Sequence, residues 1–270
     1  MNLDDLRAFE AVVRLQYPEL QIAFKERSKT QKFLGYLMFA FNPWYMSKYT
    51  STFAPTVYFP TQDSYERNPR GSISLLAHEL VHLLDTKKHP FWFRWTYLFP
   101  QIMAPIGFLV YGLLARSHAW PLAVLFAGAV LALVIARVST AAFFVLMAVV
   151  LAGSGVLAVL VSGWASVALF AGLACLAPWP SPGRVYWERR GYAMSLGVYQ
   201  WTTGSVPQIL RDSYSRAFVA SFYFYMSWQK EATKKWVDAT VERAANGELA
   251  KEQPYGVVHD FFHSRGMDQQ

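Results

Sequence analysis

The chain predicts a mainly α-helical fold with a small β edge and a transmembrane bundle of about four helices. Three observations carry this expectation. First, 54% of the 270 residues are hydrophobic and only 16% are charged, against about 25% charged in an ordinary soluble domain. Second, the deficit is local: residues 97–180 contain no Asp, Glu or Lys and only two Arg, Arg116 and Arg137. Third, the flanking segments show helical apolar spacing around one β-branched and aromatic stretch at 49–60. The pattern excludes a disordered or fibrous chain. A single cysteine, Cys175, excludes a disulfide framework and a Cys-based zinc site.

Three parts follow from this pattern: 1–96, an apolar insertion at 97–180, and 181–270. A spanning helix needs roughly 20 apolar residues, so the insertion suits four spans, placed near 98–115, 119–136, 139–161 and 164–179. The last turn has an alternative place at Gly153-Ser154-Gly155. Trp92, Trp95, Tyr97, Trp120, Trp164 and Trp179 mark the expected interfaces, and Pro105 is expected to kink the first span. Lys87, Lys88, Arg94, Arg137, Arg184, Arg189 and Arg190 fall on one side of such a bundle, with Arg116 opposite. The positive-inside rule makes the crowded side cytoplasmic. Met1-Asn2-Leu3-Asp4-Asp5-Leu6 has no basic or apolar leader, so no signal peptide is expected. The expected location is therefore a bacterial-type cytoplasmic (inner) membrane, with both termini and both polar parts cytoplasmic and the lipid bilayer as a partner. The net charge of +7 is mostly this flanking excess. No basic, aromatic-interleaved stripe argues for nucleic acid.

Along the polar parts, Leu6, Phe9 and Val13 predict a helix over 3–16, and Leu20, Ala23 and Phe24 predict another over 18–29. Asn42-Pro43 breaks the pattern. One or two strands are expected in 49–60, confined to an edge by Pro55 and Pro60. A helix is expected from Ser72 to Asp85, and another from near Arg184. A long helix is expected from Ser205 towards Asn246-Gly247, which reads as a C-cap. Its stripe of Phe218, Phe222, Phe224, Tyr225 and Trp228 reads as core packing.

Chemistry concentrates at His78-Glu79-Leu80-Val81-His82, an HExxH pattern. With 6 His in the chain, chance supplies about 0.005 such matches. Residues four apart on a helix lie about 40° apart around its axis, so both imidazoles can grip one zinc ion. Glu79 lies about 100° from His78, off the ligand line but beside the metal. There it can take a proton from water and pass it to a leaving amine. Asp85, about 20° from His78 two turns on, suits an acceptor for a ligand imidazole or a solvated helix end.

A catalytic zinc wants a third protein ligand. Lys88 stands where a metzincin has its third histidine, and His89 is one residue late. Glu188 is the expected third ligand: it is the first acidic residue after Asp85, and an even number of spans returns it to the face that holds His78 and His82. The competing expectation for Glu188 is pairing with the neighbouring Arg189 and Arg190.

HELVH, then apolar spans, then a glutamate on a new helix resembles the gluzincin arrangement of integral-membrane zinc metallopeptidases, the HtpX-like heat-shock proteases and the CaaX prenyl proteases. The resemblance implies a zincin-like α+β catalytic domain split between 1–96 and 181–270. It implies zinc on His78, His82 and Glu188, Glu79 as general base, and substrate backbone docked along the strand at 49–60. Those families usually place an aspartate four residues after the glutamate; here that position is Tyr192.

Weaker candidates remain. Tyr186 and Tyr192 are possible oxyanion donors. His259 and His263, four apart, suit a transition-state hydrogen bond, a second metal site or an ordinary surface helix. The function expected is a membrane-embedded zinc metallopeptidase acting on peptide or protein substrates. The alternatives are a non-catalytic metal-binding scaffold or sensor, and a zinc hydrolase of a non-peptide substrate.

Overall fold

The computed structural model of the chain describes residues 1–38, 42–99, 180–220 and 226–268, with isolated positions between 103 and 175. These residues form two compact units. The first comprises Met1–Arg94, Val185–Phe218 and Gln229–Gln270; the second comprises Trp95–Arg184 and Val219–Trp228.

The first unit opens with α1, Leu3–Gln16, as its apolar spacing predicts. Asn2 and Asp5 cap it reciprocally, Asn2 Oδ1 accepting from the Asp5 amide and Asp5 Oδ2 from the Asn2 amide, which satisfies two orphan donors of the first turn. Leu6, Phe9 and Val13 are fully buried. The chain then forms strand β1, Gln21–Phe24, a 3₁₀ turn at Lys25–Arg27, and α2, Lys29–Met38. The helix expected over 18–29 is thus corrected. Leu20, Ala23 and Phe24 fit a short helix, but Gln21–Phe24 pairs residue for residue with Thr56–Phe59 in parallel, and that tertiary pairing decides the segment.

After α3, Tyr45–Lys48, come β2, Ser51–Phe53, and β3, Thr56–Phe59. The sheet order is β1-β3-β2, with β2 antiparallel to β3. Only β2 of this pair is an edge. Pro55 and Pro60 lie just outside β3, so neither removes a ladder donor and β3 occupies the centre.

Next come α4, Gln62–Arg67, and α5, Pro69–Lys88. Asn68 caps α5 by accepting from the Gly71 amide, and Pro69 occupies the first turn, where its missing N–H costs nothing. Helix α5 is the axis of the core: Ile73, Leu76, Ala77, Leu80, Val81 and Leu83 are all fully buried. They pack with Phe9, Val57, Phe59, Met194, Val198 and Phe262 in one cluster. Helix α6 is Pro90–Leu98 and α7 is Pro182–Thr203. The single long helix expected from Ser205 is instead two, α8, Gln208–Val219, and α9, Lys230–Ala245. Asn246 is the C-cap of α9, and Gly247 follows at φ +76°, a left-handed conformation that glycine adopts without a Cβ penalty. Phe218 is buried and Trp228 exposed, while Phe222, Phe224 and Tyr225 lie outside the described residues. Helix α10, Tyr255–Ser264, closes the unit.

In the second unit the start of α7 is anchored by Arg184, whose Nε donates to the Tyr97 carbonyl, and by Ser181 Oγ donating to the Phe99 carbonyl.

The transmembrane bundle and the inner-membrane location are corrected. Among the described residues no helix is long and apolar enough to cross a membrane. The two helices of sufficient length are charged: α5 carries Arg70, Glu79, Asp85, Lys87 and Lys88, and α7 carries Arg184, Glu188, Arg189 and Arg190. Trp92 and Trp95 belong to the nine-residue α6. The segments expected at 98–115, 119–136, 139–161 and 164–179 lie almost wholly outside the described residues. What the described residues show is a mainly helical fold with one three-stranded sheet.

Candidate metal centre

The core residues of α5 bury the whole HExxH motif in the middle of a helix, and buried polar groups demand partners. His78, Glu79 and His82 are all at most 9% exposed. Helix α7 answers them. Its apolar positions Ala193, Met194 and Val198 join the same core, and this packing brings Glu188, 4% exposed, against the two imidazoles. His78 Nε2 lies 3.1 Å from His82 Nε2. Glu188 Oε2 lies 3.7 Å from His78 Nε2 and 4.0 Å from His82 Nε2.

This buried cluster can hold a metal ion. Bonds of 2.0–2.1 Å to a tetrahedral ion separate neighbouring donors by about 3.4 Å, and the three observed distances bracket that value. The donor chemistry fits as well: two imidazole nitrogens and one carboxylate form a set that binds divalent ions. Among the described residues it is the one group of three or more such side chains able to do so.

Neighbouring groups orient the donors. His78 Nδ1 lies within hydrogen-bond distance of Ser195 Oγ, at 3.2 Å; with the proton on Nδ1, the Nε2 lone pair would face the cluster. Burial and the neighbouring His78 push His82 below the usual histidine range. For His78 burial opposes charge, but hydrogen bonding and attraction from Glu188, with Glu79, outweigh it and raise its pKa. The downward shift favours the neutral form of His82, the form in which an imidazole binds a metal.

Gly191, one turn past Glu188, makes the approach of α7 possible. A Cβ there would fall 2.5 Å from His78 Nε2.

Glu79 does not join the donors. Its Oε2 accepts from Thr52 Oγ1 at 2.7 Å, a contact that ties Glu79 to the edge strand β2. Lys25 is fully buried nearby. Its Nζ donates to the Tyr45 carbonyl at 2.8 Å and lies 3.6 Å from the centre of the Tyr45 ring. Burial drives its pKa down to about 7, against the opposing attraction of Glu79.

The remaining sequence candidates are placed as follows. Asp85 is buried, and both its oxygens accept from Arg190, at 2.8 Å from Nε and 2.9 Å from Nη2. Arg189 instead lies over the Trp236 ring, while Glu188 faces His78 and His82. Tyr192 sets its ring edge-on to His78, with centroids 5.1 Å apart, and packs on Tyr214 and Phe218. Tyr186 is exposed. His263 is exposed on α10, where its Nδ1 donates to Asp268 Oδ2. It stacks on His259, and neither belongs to the buried cluster. Cys175 is half-buried and lies outside it too.

Sequence reasoning missed Thr52, Ser195, Arg190, Gly191 and Lys25. Only Gly191 left a signal, a glycine inside a helical run, which marks close backbone approach.

Comparisons with protein-family models, curated proteins and solved structures return no match for this chain.

Proposed function

We propose that this chain is a zinc-dependent peptidase of the gluzincin type, hydrolysing peptide bonds in peptide or protein substrates. The observation that carries the reading is the convergence of Glu188 on His78 and His82, from a helix more than a hundred residues away, with Glu79 beside the three donors and outside them. A purely structural site needs no carboxylate there.

In this reading His78, His82 and Glu188 hold zinc. The ion would act as a Lewis acid on the scissile carbonyl and would make water acidic enough to be deprotonated near neutral pH. Glu79 takes the proton from the attacking water and delivers it to the leaving nitrogen. Thr52 fixes which way the Glu79 carboxylate faces. Ser195 holds the tautomer of His78. Strand β2 is an edge, so an extended peptide paired with it would pass the base that Thr52 contacts.

The test is Glu79→Gln, which keeps size and leaves both imidazoles free. Zinc content should match the parent, and hydrolysis of an unstructured fluorogenic peptide should fall by roughly 10²–10⁴-fold. Full activity in the variant would mean another base. A zinc-loaded parent inactive on every member of a peptide library would point instead to a non-peptide substrate or a non-catalytic scaffold.

A further inference from the structure

Arg190 belongs to the same helix as Glu188, and Asp85 to the same helix as His78 and His82. Their side chains meet in a bidentate pair with two hydrogen bonds of 2.8 and 2.9 Å. Asp85 is only 4% exposed, so the pair is shielded on the carboxylate side. A fork-to-fork guanidinium–carboxylate contact restricts both distance and angle, as a lysine contact does not. A third element braces the arginine's backbone: Tyr255 Oη, from α10, donates to the Arg190 carbonyl at 3.2 Å. Three successive residues of α7 thus have three different partners. Glu188 faces the imidazoles, Arg189 covers Trp236, and Arg190 grips Asp85.

We infer that Asp85 and Arg190 are positioning residues for the metal centre, clamping the helix that carries Glu188 to the helix that carries His78 and His82 so that the three donors keep one spacing. The inference rests on the proposed zinc reading of the cluster. The Asp85–Arg190 pair lies one turn past His82 on one helix and half a turn past Glu188 on the other. Loss of the pair frees α7 to shift against α5, and the donor set is the first feature to register that shift. Outer partners of metal ligands typically contribute 10–100-fold to affinity.

The test measures zinc affinity by competition with a chelating dye, well below each variant's melting temperature, together with the visible spectrum of the cobalt-substituted protein. Arg190→Gln should bind zinc roughly 10–100-fold more weakly and shift the cobalt bands, while Arg190→Lys, which keeps charge but not the fork, should fall between it and the parent. Arg265→Gln breaks a comparable ion pair in the same unit, Arg265 to Asp5 at 2.9 Å, and should lower stability without changing zinc affinity or the cobalt spectrum. Parental affinity and spectrum in Arg190→Gln would overturn the clamp, as would an equal loss in Arg265→Gln. A parent that binds no zinc would overturn the zinc reading itself, a result separate from failure of the clamp alone.

Discussion

Gly191 brings the backbone of α7 against the ring of His78, so closely that a methyl group would fall 2.5 Å from Nε2. Alanine normally strengthens a helix interior relative to glycine by about 1 kcal/mol. Here the added carbon must displace the imidazole that faces Glu188. Gly191→Ala should therefore leave helix content unchanged and weaken zinc binding by about tenfold or more, the scale of losing a well-placed orienting contact. Parental zinc affinity in this variant would show that the ring has room to yield.

Thr52 supplies the hydrogen bond that orients Glu79. Thr52→Val keeps the β-branched shape that suits a strand and removes only the hydroxyl. A hydrogen bond to a charged group contributes about 1.5–3 kcal/mol, so peptide turnover should drop by about tenfold or more while zinc content stays parental. Unchanged kcat would mean that Glu79 is oriented without Thr52.

Buried Lys25 links stability to pH. Its folded-state pKa is about 7, well below its ordinary value of 10.5. Between these values the unfolded chain binds a proton that the folded chain does not, so this residue makes stability rise with pH across that window. The cost of burying the ammonium is fully present below pH 7 and gone above 10.5. Urea midpoints of the parent should rise more between pH 7 and 9.5 than those of Lys25→Met. Identical slopes in the two proteins would place the Lys25 pKa at its ordinary value.

How much of this was legible in the sequence depends on where each feature's cause lies. Helix α1 matches its expectation at 3–16 because its cause is local, with apolar residues on one face and Asn2-Asp5 as a cap. Helix α5 extends beyond the expected 72–85 to Pro69–Lys88, since Asn68 and Pro69 start it earlier than the hydrophobic run implies. Strand β1 was illegible because four residues cannot display a period, and its partner β3 lies more than thirty positions on. The HExxH motif could be read because its spacing is a property of one helix. Ser195, Thr52 and Arg190 could not, because each acts across a tertiary contact that no local pattern encodes. The apolar block led to a bundle that no described helix supports; composition alone located the expected spans, and the long helices that are described carry charges.

His78, His82 and Glu188 form the proposed site for one zinc ion. Its most direct test is zinc content per folded chain after equilibrium dialysis at pH 7.5, measured by elemental analysis for the parent and for Glu188→Ala. The parent should hold one zinc and Glu188→Ala close to none, with a folded chain in both by circular dichroism. One zinc per chain retained in Glu188→Ala, at parental affinity, would contradict that assignment.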